Sequence, residues 1–281
     1  LGAALSVSFI FSAGFAKTVG GMLMNAGVTE IWMPFVTSMV FFPPLLLFLY
    51  LLDKIPPPNS EDEMLRTRRA PMTGAERMRY VKTFLPGLVL LVLSYVLLTA
   101  FRDFRDNFSA EIWIALGYGN KAGIFTFTET IISIVVLVLI GSLMVIKSNF
   151  RAMVINHLIV IAGMILVGVS TWLFENSLLD PTSWMILVGL GLYFGYIQFN
   201  SIFFDRLIAT FKYVSTVGFL IYVADAFGYL GSVSVILFKE LGGQGLSWLQ
   251  FFTQAAYILS VAGVVLMSFS LVYFVKKFRQ T

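Results

Sequence analysis

The sequence predicts an all-α polytopic membrane protein with eight membrane helices, and three observations carry that expectation. Hydrophobic residues make up 58% of the chain and charged ones 12%, against about 25% charged in an average soluble domain. Apolar runs of about 20 residues, enough to cross a bilayer, recur along its whole length. Lysine and arginine gather in alternate connections between those runs, as the positive-inside rule requires.

Taken in order, span 1 covers residues 1–25 and span 2 covers 31–52. The chain opens on Leu1 inside an apolar run, with neither a charged leader nor a cleavage site, so a piece lacking its true N-terminus is expected. Residues 53–83 are the one long hydrophilic segment, beginning at Pro56-Pro57-Pro58, passing Glu61-Asp62-Glu63 and ending in a basic cluster. That composition reads as a linker between two helical bodies. Its basic cluster marks topology, with anionic lipid headgroups as the alternative partner.

Span 3 covers 84–101, with Pro86 in its first turn and a polar extension to 116. Proline is tolerated in a first turn, where its missing N–H is not needed. Spans 4, 5 and 6 cover 122–146, 152–174 and 183–204, and spans 7 and 8 cover 213–238 and 248–275. Fourteen of the nineteen basic residues fall in the 53–83 linker, the 4–5 and 6–7 connections and the C-terminus. Both ends are therefore expected on the cytoplasmic side. The net charge of +4 is accounted for by this topology and implies no nucleic-acid partner.

Absences narrow the chemistry. Without cysteine there is no disulfide framework or thiol nucleophile, and a single histidine, His157, excludes multi-histidine metal centres. No glycine-rich phosphate loop, nucleophile elbow or paired-histidine helix occurs. Neither an enzyme nor a bound cofactor or metal is expected.

Polarity concentrates at Arg102-Asp103-Phe104-Arg105-Asp106-Asn107-Phe108, directly behind the apolar run of span 3. On a helix, Arg102 and Asp106 are i,i+4 neighbours, and Tyr95, Thr99, Arg102, Asp106 and Ser109 form one stripe. Depth at 1.5 Å per residue puts Arg102 about 27 Å beyond Phe84, near the edge of a core about 30 Å thick. A solute-binding or gating role, a structural charge network and an exposed helix end are the three readings. Glycine breakers arrive only at Gly117 and Gly119, so the helix is expected to continue and to wall a vestibule.

Ionisable residues inside spans are functional candidates by default. Asp225 sits mid-span with Tyr222, Tyr229 and Ser232 on its face. A desolvated carboxyl favours its protonated form, the chemistry of a proton carrier; a tyrosine-bound structural carboxyl is the alternative. Lys17 and Glu129 have similar depths and opposite charge, so an ion pair between spans 1 and 4 is expected, with Glu129 a second proton candidate. His157, beside Asn156, reads as structural. In span 6, Tyr193, Tyr196 and Asn200 share a face suited to a cavity wall, and Gln198 points elsewhere.

Two helices, a long linker and six helices with both ends inside resemble the major facilitator superfamily from its fifth helix to its twelfth. The segments Phe101 to Phe108, Phe203-Phe204-Asp205-Arg206-Leu207-Ile208-Ala209 and Tyr222 to Ser232 also resemble a bacterial membrane-protein family of unknown function with that layout. One departure stands out: the 4–5 loop, Gly141 to Arg151, lacks the aspartate of the superfamily's usual motif there. The resemblance implies that 1–52 close an N-terminal bundle, 53–83 link, and 84–281 form a six-helix C-terminal bundle. It further implies a secondary transporter of the bacterial inner membrane, working by alternating access between two bodies. Spans 1 and 4 would meet between the halves, making Lys17–Glu129 an inter-half contact. Tyr95, Thr99, Arg102, Asp106, Tyr193, Tyr196 and Asn200 would face the central cavity. Arg102 and Arg105, with Asn107 nearby, would attract a small anionic or zwitterionic solute. The partners implied are that solute, the bilayer and the preceding helices of the same protein; a non-transporting receptor or scaffold is the alternative.

Overall fold

The computed structural model describes residues 2–57, 72–212, 217–241 and 245–280, with side chains from Val7 onward. The Glu61-Asp62-Glu63 run and Arg66, Arg68 and Arg69 of the linker lie outside the described residues. Among the described residues every regular element is helical, and eight helical segments are long and apolar enough to cross a membrane.

Helix α1 is Gly2–Asn25 and α2 is Met33–Asp53. Val7, Ile10, Gly14 and Thr18 form the buried stripe of α1, at the i, i+3, i+7 and i+11 spacing of a single helix face. Helix α2 carries two internal prolines, Pro43 and Pro44, and buries no side chain within this chain.

Helix α3, Gly74–Asn107, begins ten residues earlier than the expected start at 84. The cause is a capping box. Thr73 Oγ1 accepts from the Glu76 N–H at 3.3 Å, and the Thr73 N–H donates to Glu76 Oε2 at 2.7 Å. The linker is shorter than 53–83 by that much. Pro86 consequently lies in the helix interior and not in a first turn. It removes the bond to the Lys82 carbonyl, and its neighbour Gly87 abuts α10, where a Cβ would meet Tyr273 and Phe274 at 2.5 Å. The polar extension is real but broken: Phe108 leaves helical geometry, and α4, Ser109–Ala115, follows.

Helices α5, Gly123–Leu143, and α6, Asn149–Glu175, form spans 4 and 5. Span 6 is longer than the expected 183–204. It comprises α7 (Pro181–Gln198), a π-turn at Phe199–Phe203 and α8 (Phe204–Phe211). Asp180 caps its start, accepting from the Thr182 and Ser183 N–H groups, with Pro181 in the first turn. Helices α9, Val217–Leu241, and α10, Trp248–Arg279, complete the set. Ser247 and Gln250 form a second capping box at the start of α10.

The packing follows small residues and aromatics. Helix α3 lies against α9 and α10, and α6 lies between α7 and α10. Gly163 and Gly191 let α6 and α7 touch backbone to backbone, since a Cβ on either would come within 2.5 Å of the other's carbonyl oxygen. Helix α7 also meets α5 and α3, while α1 runs along α5. The contact between α1 and α5 is the one expected for spans 1 and 4.

Candidate functional site

The polar groups of α3 do not form one patch. They occupy two levels joined by tyrosines. At the lower level Tyr95, buried on α3, donates its hydroxyl proton to Asp225 Oδ1 of α9 at 2.5 Å. Asn200, within the π-turn, donates to the same tyrosine oxygen at 3.0 Å. The Tyr95 ring stacks on Tyr196 of α7, centroids 5.6 Å apart. Gly228 lets α9 approach here, for a Cβ would lie 3.0 Å from both Tyr95 and Thr99. Thr99 is buried and its hydroxyl has no partner.

Arg102 starts the upper level. Its guanidinium lies 3.8 Å from the centroid of the Tyr196 ring, the ring on which Tyr95 stacks. Cation–π attraction holds it there. Its ion-pair partner is the adjacent Asp103, with Nε at 3.0 Å from Oδ1, in place of the expected i+4 neighbour Asp106. The tyrosine ring draws the side chain sideways and out of reach of the next turn.

Arg105 is buried, and it takes the partner expected for Lys17. Its Nη2 lies 2.8 Å from Glu129 Oε1 on α5, and Nη1 lies 3.5 Å from Asp106 Oδ1. The expected Lys17–Glu129 ion pair is thus corrected to Arg105–Glu129. A guanidinium with no access to water needs a carboxylate more than a lysine that can reach elsewhere. Lys17 donates to the backbone carbonyl of Asp106 at 2.7 Å, still tying α1 to the charged stretch. The Asp106 carboxylate also accepts from the Tyr193 hydroxyl at 3.2 Å.

Sequence reasoning missed two further features. Thr18 and Thr126 form a hydroxyl bridge of 2.7 Å between α1 and α5, extended by Thr18 Oγ1 to the Ala122 carbonyl at 2.9 Å. Gly14 sits one turn away, where a Cβ would meet Glu129 at 2.7 Å. Thr18, four residues after Gly14 on the same helix face, was the available signal. The second feature is the pair Asn156 and Gln198, both buried, with none of their four amide atoms hydrogen-bonded. Each lies seven residues, two helical turns, from the glycine at the α6–α7 contact, so each amide falls on the side of its helix that carries that contact. His157 points away from them, with Nδ1 at 2.8 Å from the Met153 carbonyl oxygen and Nε2 at 3.1 Å from Ser270 Oγ. That is a structural role.

A cavity of 470 Å³ opens beside the upper level, among α1, α3, α4 and the start of α5, with Lys17, Asp106, Asn107 and Trp113 in its wall. Arg102 and Arg105 do not line it. Nor does any group of three or more metal-ligating side chains occur among the described residues.

A family model covers this whole assembly, matching residues 1–277. The chain belongs to the DUF5690 family. This is a family of unknown function. No curated protein and no solved structure matches the chain. For this DUF5690 member the three quoted segments therefore take their meaning from geometry. Phe101 to Phe108 supplies the upper level, Tyr222 to Ser232 supplies Asp225 and its glycine, and Phe203 to Ala209 lies at the opposite end, where Arg206 Nη1 donates to Asn149 Oδ1 at 2.8 Å.

Proposed function

We propose that this DUF5690 protein is a facilitator-type secondary active transporter that moves a small anionic or zwitterionic solute by alternating access, coupled to protons. One observation carries the proposal: a polar column in two neighbouring groups, Asp225–Tyr95–Tyr196–Arg102 and Tyr193–Asp106–Arg105–Glu129, bridged by Phe9 against both Tyr193 and Tyr196 and with Lys17 bonded at Asp106. Charges in membrane helices are expensive and persist where a pathway or relay requires them. The column links α1, α3, α5, α7 and α9, which include the helices that a rocking motion must uncouple and rejoin.

Asp225 is the proposed proton carrier. Its bonded partner is a neutral phenol, and among the described residues no cation lies within ion-pairing distance. Protonation there breaks no ion pair. Arg102 and Arg105 hold the column together, whereas Lys17 and Asp106 face the cavity and meet the solute. Positive charge in alternate connections supports the reading that both ends face the cytoplasm and the cavity faces outward, the membrane proposed being a bacterial inner one.

A receptor or scaffold that moves nothing is the second reading. It is favoured by Phe9, whose ring packs edge-on against Tyr193 and Tyr196 at 6.4 and 6.3 Å, and by the pairing of both arginines. Uptake into proteoliposomes of the full-length protein under an imposed pH gradient decides between them. Transport predicts gradient-driven accumulation that Asp225→Asn abolishes while exchange of solute persists. Intact gradient-driven uptake in that variant would refute the coupling role.

A further inference from the structure

We propose that the 470 Å³ cavity at Lys17 and Asp106 binds a zwitterion bearing one carboxylate, one ammonium group and an apolar body. The proposal rests on the transport reading and narrows its solute class.

The charge count of the cluster selects the ligand type. Lys17, Arg105, Asp106 and Glu129 are two cations and two carboxylates, so the cluster is neutral before any ligand arrives. A lone anion or cation would bring an uncompensated charge into a partly desolvated site, which is costly. A zwitterion adds no net charge, and its two ends can be met separately.

The donors and acceptors left over are of the right kinds. An ammonium has three donors, and Lys17 spends one on the Asp106 carbonyl oxygen. The remaining two are available to a carboxylate. The Asp106 carboxylate takes a long contact from Arg105 at 3.5 Å and one bond from Tyr193 at 3.2 Å. Its side chain stays 28% exposed, whereas that of Arg105 is 3% exposed. Its free lone pairs therefore point to where a ligand ammonium can reach, and Asn107 adds an uncharged amide beside it.

The rest of the wall is mostly apolar, with Asn25, Ser109 and Tyr118 as its other polar side chains. Trp113, Ile114, Phe125, Met24 and Met33 surround the space, and Gly20 and Gly21 leave it open on the α1 side. The volume lies within the roughly 300–1,000 Å³ usual for small-molecule sites. Two methionines in the wall suit bodies of varied shape, because thioether chains repack readily.

The test is thermal stability of the full-length protein in detergent with a matched set of probes: L-phenylalanine, L-leucine, N-acetyl-phenylalanine and phenylalaninamide. The two amino acids should raise the Tm in a saturable way. The N-acetyl compound, lacking the ammonium, and the amide, lacking the carboxylate, should bind about tenfold more weakly or worse. Lys17→Met should remove the amino-acid response. Asn107→Asp, at an exposed position, should fold normally and shift preference toward phenylalaninamide, since the added carboxylate makes the cluster net negative. Equal responses to phenylalanine and its N-acetyl form, no response to either amino acid, or no change of preference in Asn107→Asp would each overturn the proposal. Saturable binding without uptake would leave the site standing and refute transport alone; uptake unaffected by Lys17→Met would refute the site alone.

Discussion

Arg105 is the residue on which the upper level depends. It is buried against Glu129 and Asp106, and its Nε, like Glu129 Oε2, has no hydrogen-bond partner. A buried pair of this kind contributes little net stability, but half of it is a liability. Glu129→Ala should therefore cost about 3–5 kcal/mol, seen as a large fall in the Tm of the detergent-solubilised protein. Arg105→Met combined with Glu129→Leu should recover most of that loss, because no buried bare charge remains and Asp106, 28% exposed, keeps its bond from Tyr193. A double variant as unstable as the single one would mean that the two charges are not each other's main partners. The charges themselves were legible as exceptions in an apolar sequence. Their pairing was not, since depth along a helix gives no information about direction around it: Lys17 and Glu129 matched in depth and were opposite in charge, yet Arg105 from a third helix holds the carboxylate.

At the scale of the element, spans were readable because twenty apolar residues have few alternatives in water or lipid. Their ends were not. The first three turns of α3 carry Arg77, Arg79 and Lys82, so they resembled linker, and only the Thr73–Glu76 box distinguishes them from it. Caps also give a measurable prediction. The Asp180 carboxyl is held below the usual carboxylate range, first by the Ser183 side chain and then by the Ser183 and Thr182 N–H groups. A depressed folded value means that its stabilisation is present above the unfolded value and is lost as pH falls through the folded one. Asp180→Ala should cost about 1 kcal/mol near neutral pH. The difference in Tm between variant and parent should shrink in strongly acidic buffer; a pH-independent difference would point away from the carboxylate.

For the whole molecule, the proposed alternating access would have to open and close the contact of α1 on α5, which is laced by Thr18 and Thr126. The chain has no cysteine, so an engineered pair would be the only thiols in it. Thr18→Cys with Thr126→Cys, hydroxyls now 2.7 Å apart, brings two thiols close enough for an oxidative crosslink to be tried. Oxidation should stop uptake and reduction should restore it, while each single variant remains active. Uptake that continues through a fully formed crosslink would show that α1 and α5 need not separate. Eight spans could be foreseen from composition and charge; the two-level column could not, because most of its links join residues about 90 to 130 positions apart in the chain.

The π-turn at Phe199–Phe203 also bears on how such a chain can change length. A π-turn holds one residue more than an α-helical turn needs, and here Asn200 and Ser201 return hydrogen bonds to the Tyr196 and Ile197 carbonyls where the backbone ladder changes. The surplus is absorbed locally. Elsewhere in a helix, gaining or losing a residue would swing everything after it by about 100°. Within 199–203, loss of one residue restores a plain helix and leaves both flanks facing as before, with the tyrosines on one side of it and Arg206 with Asn149 on the other. Single-residue deletions in related chains would be tolerated at this turn when they are not tolerated elsewhere in the span.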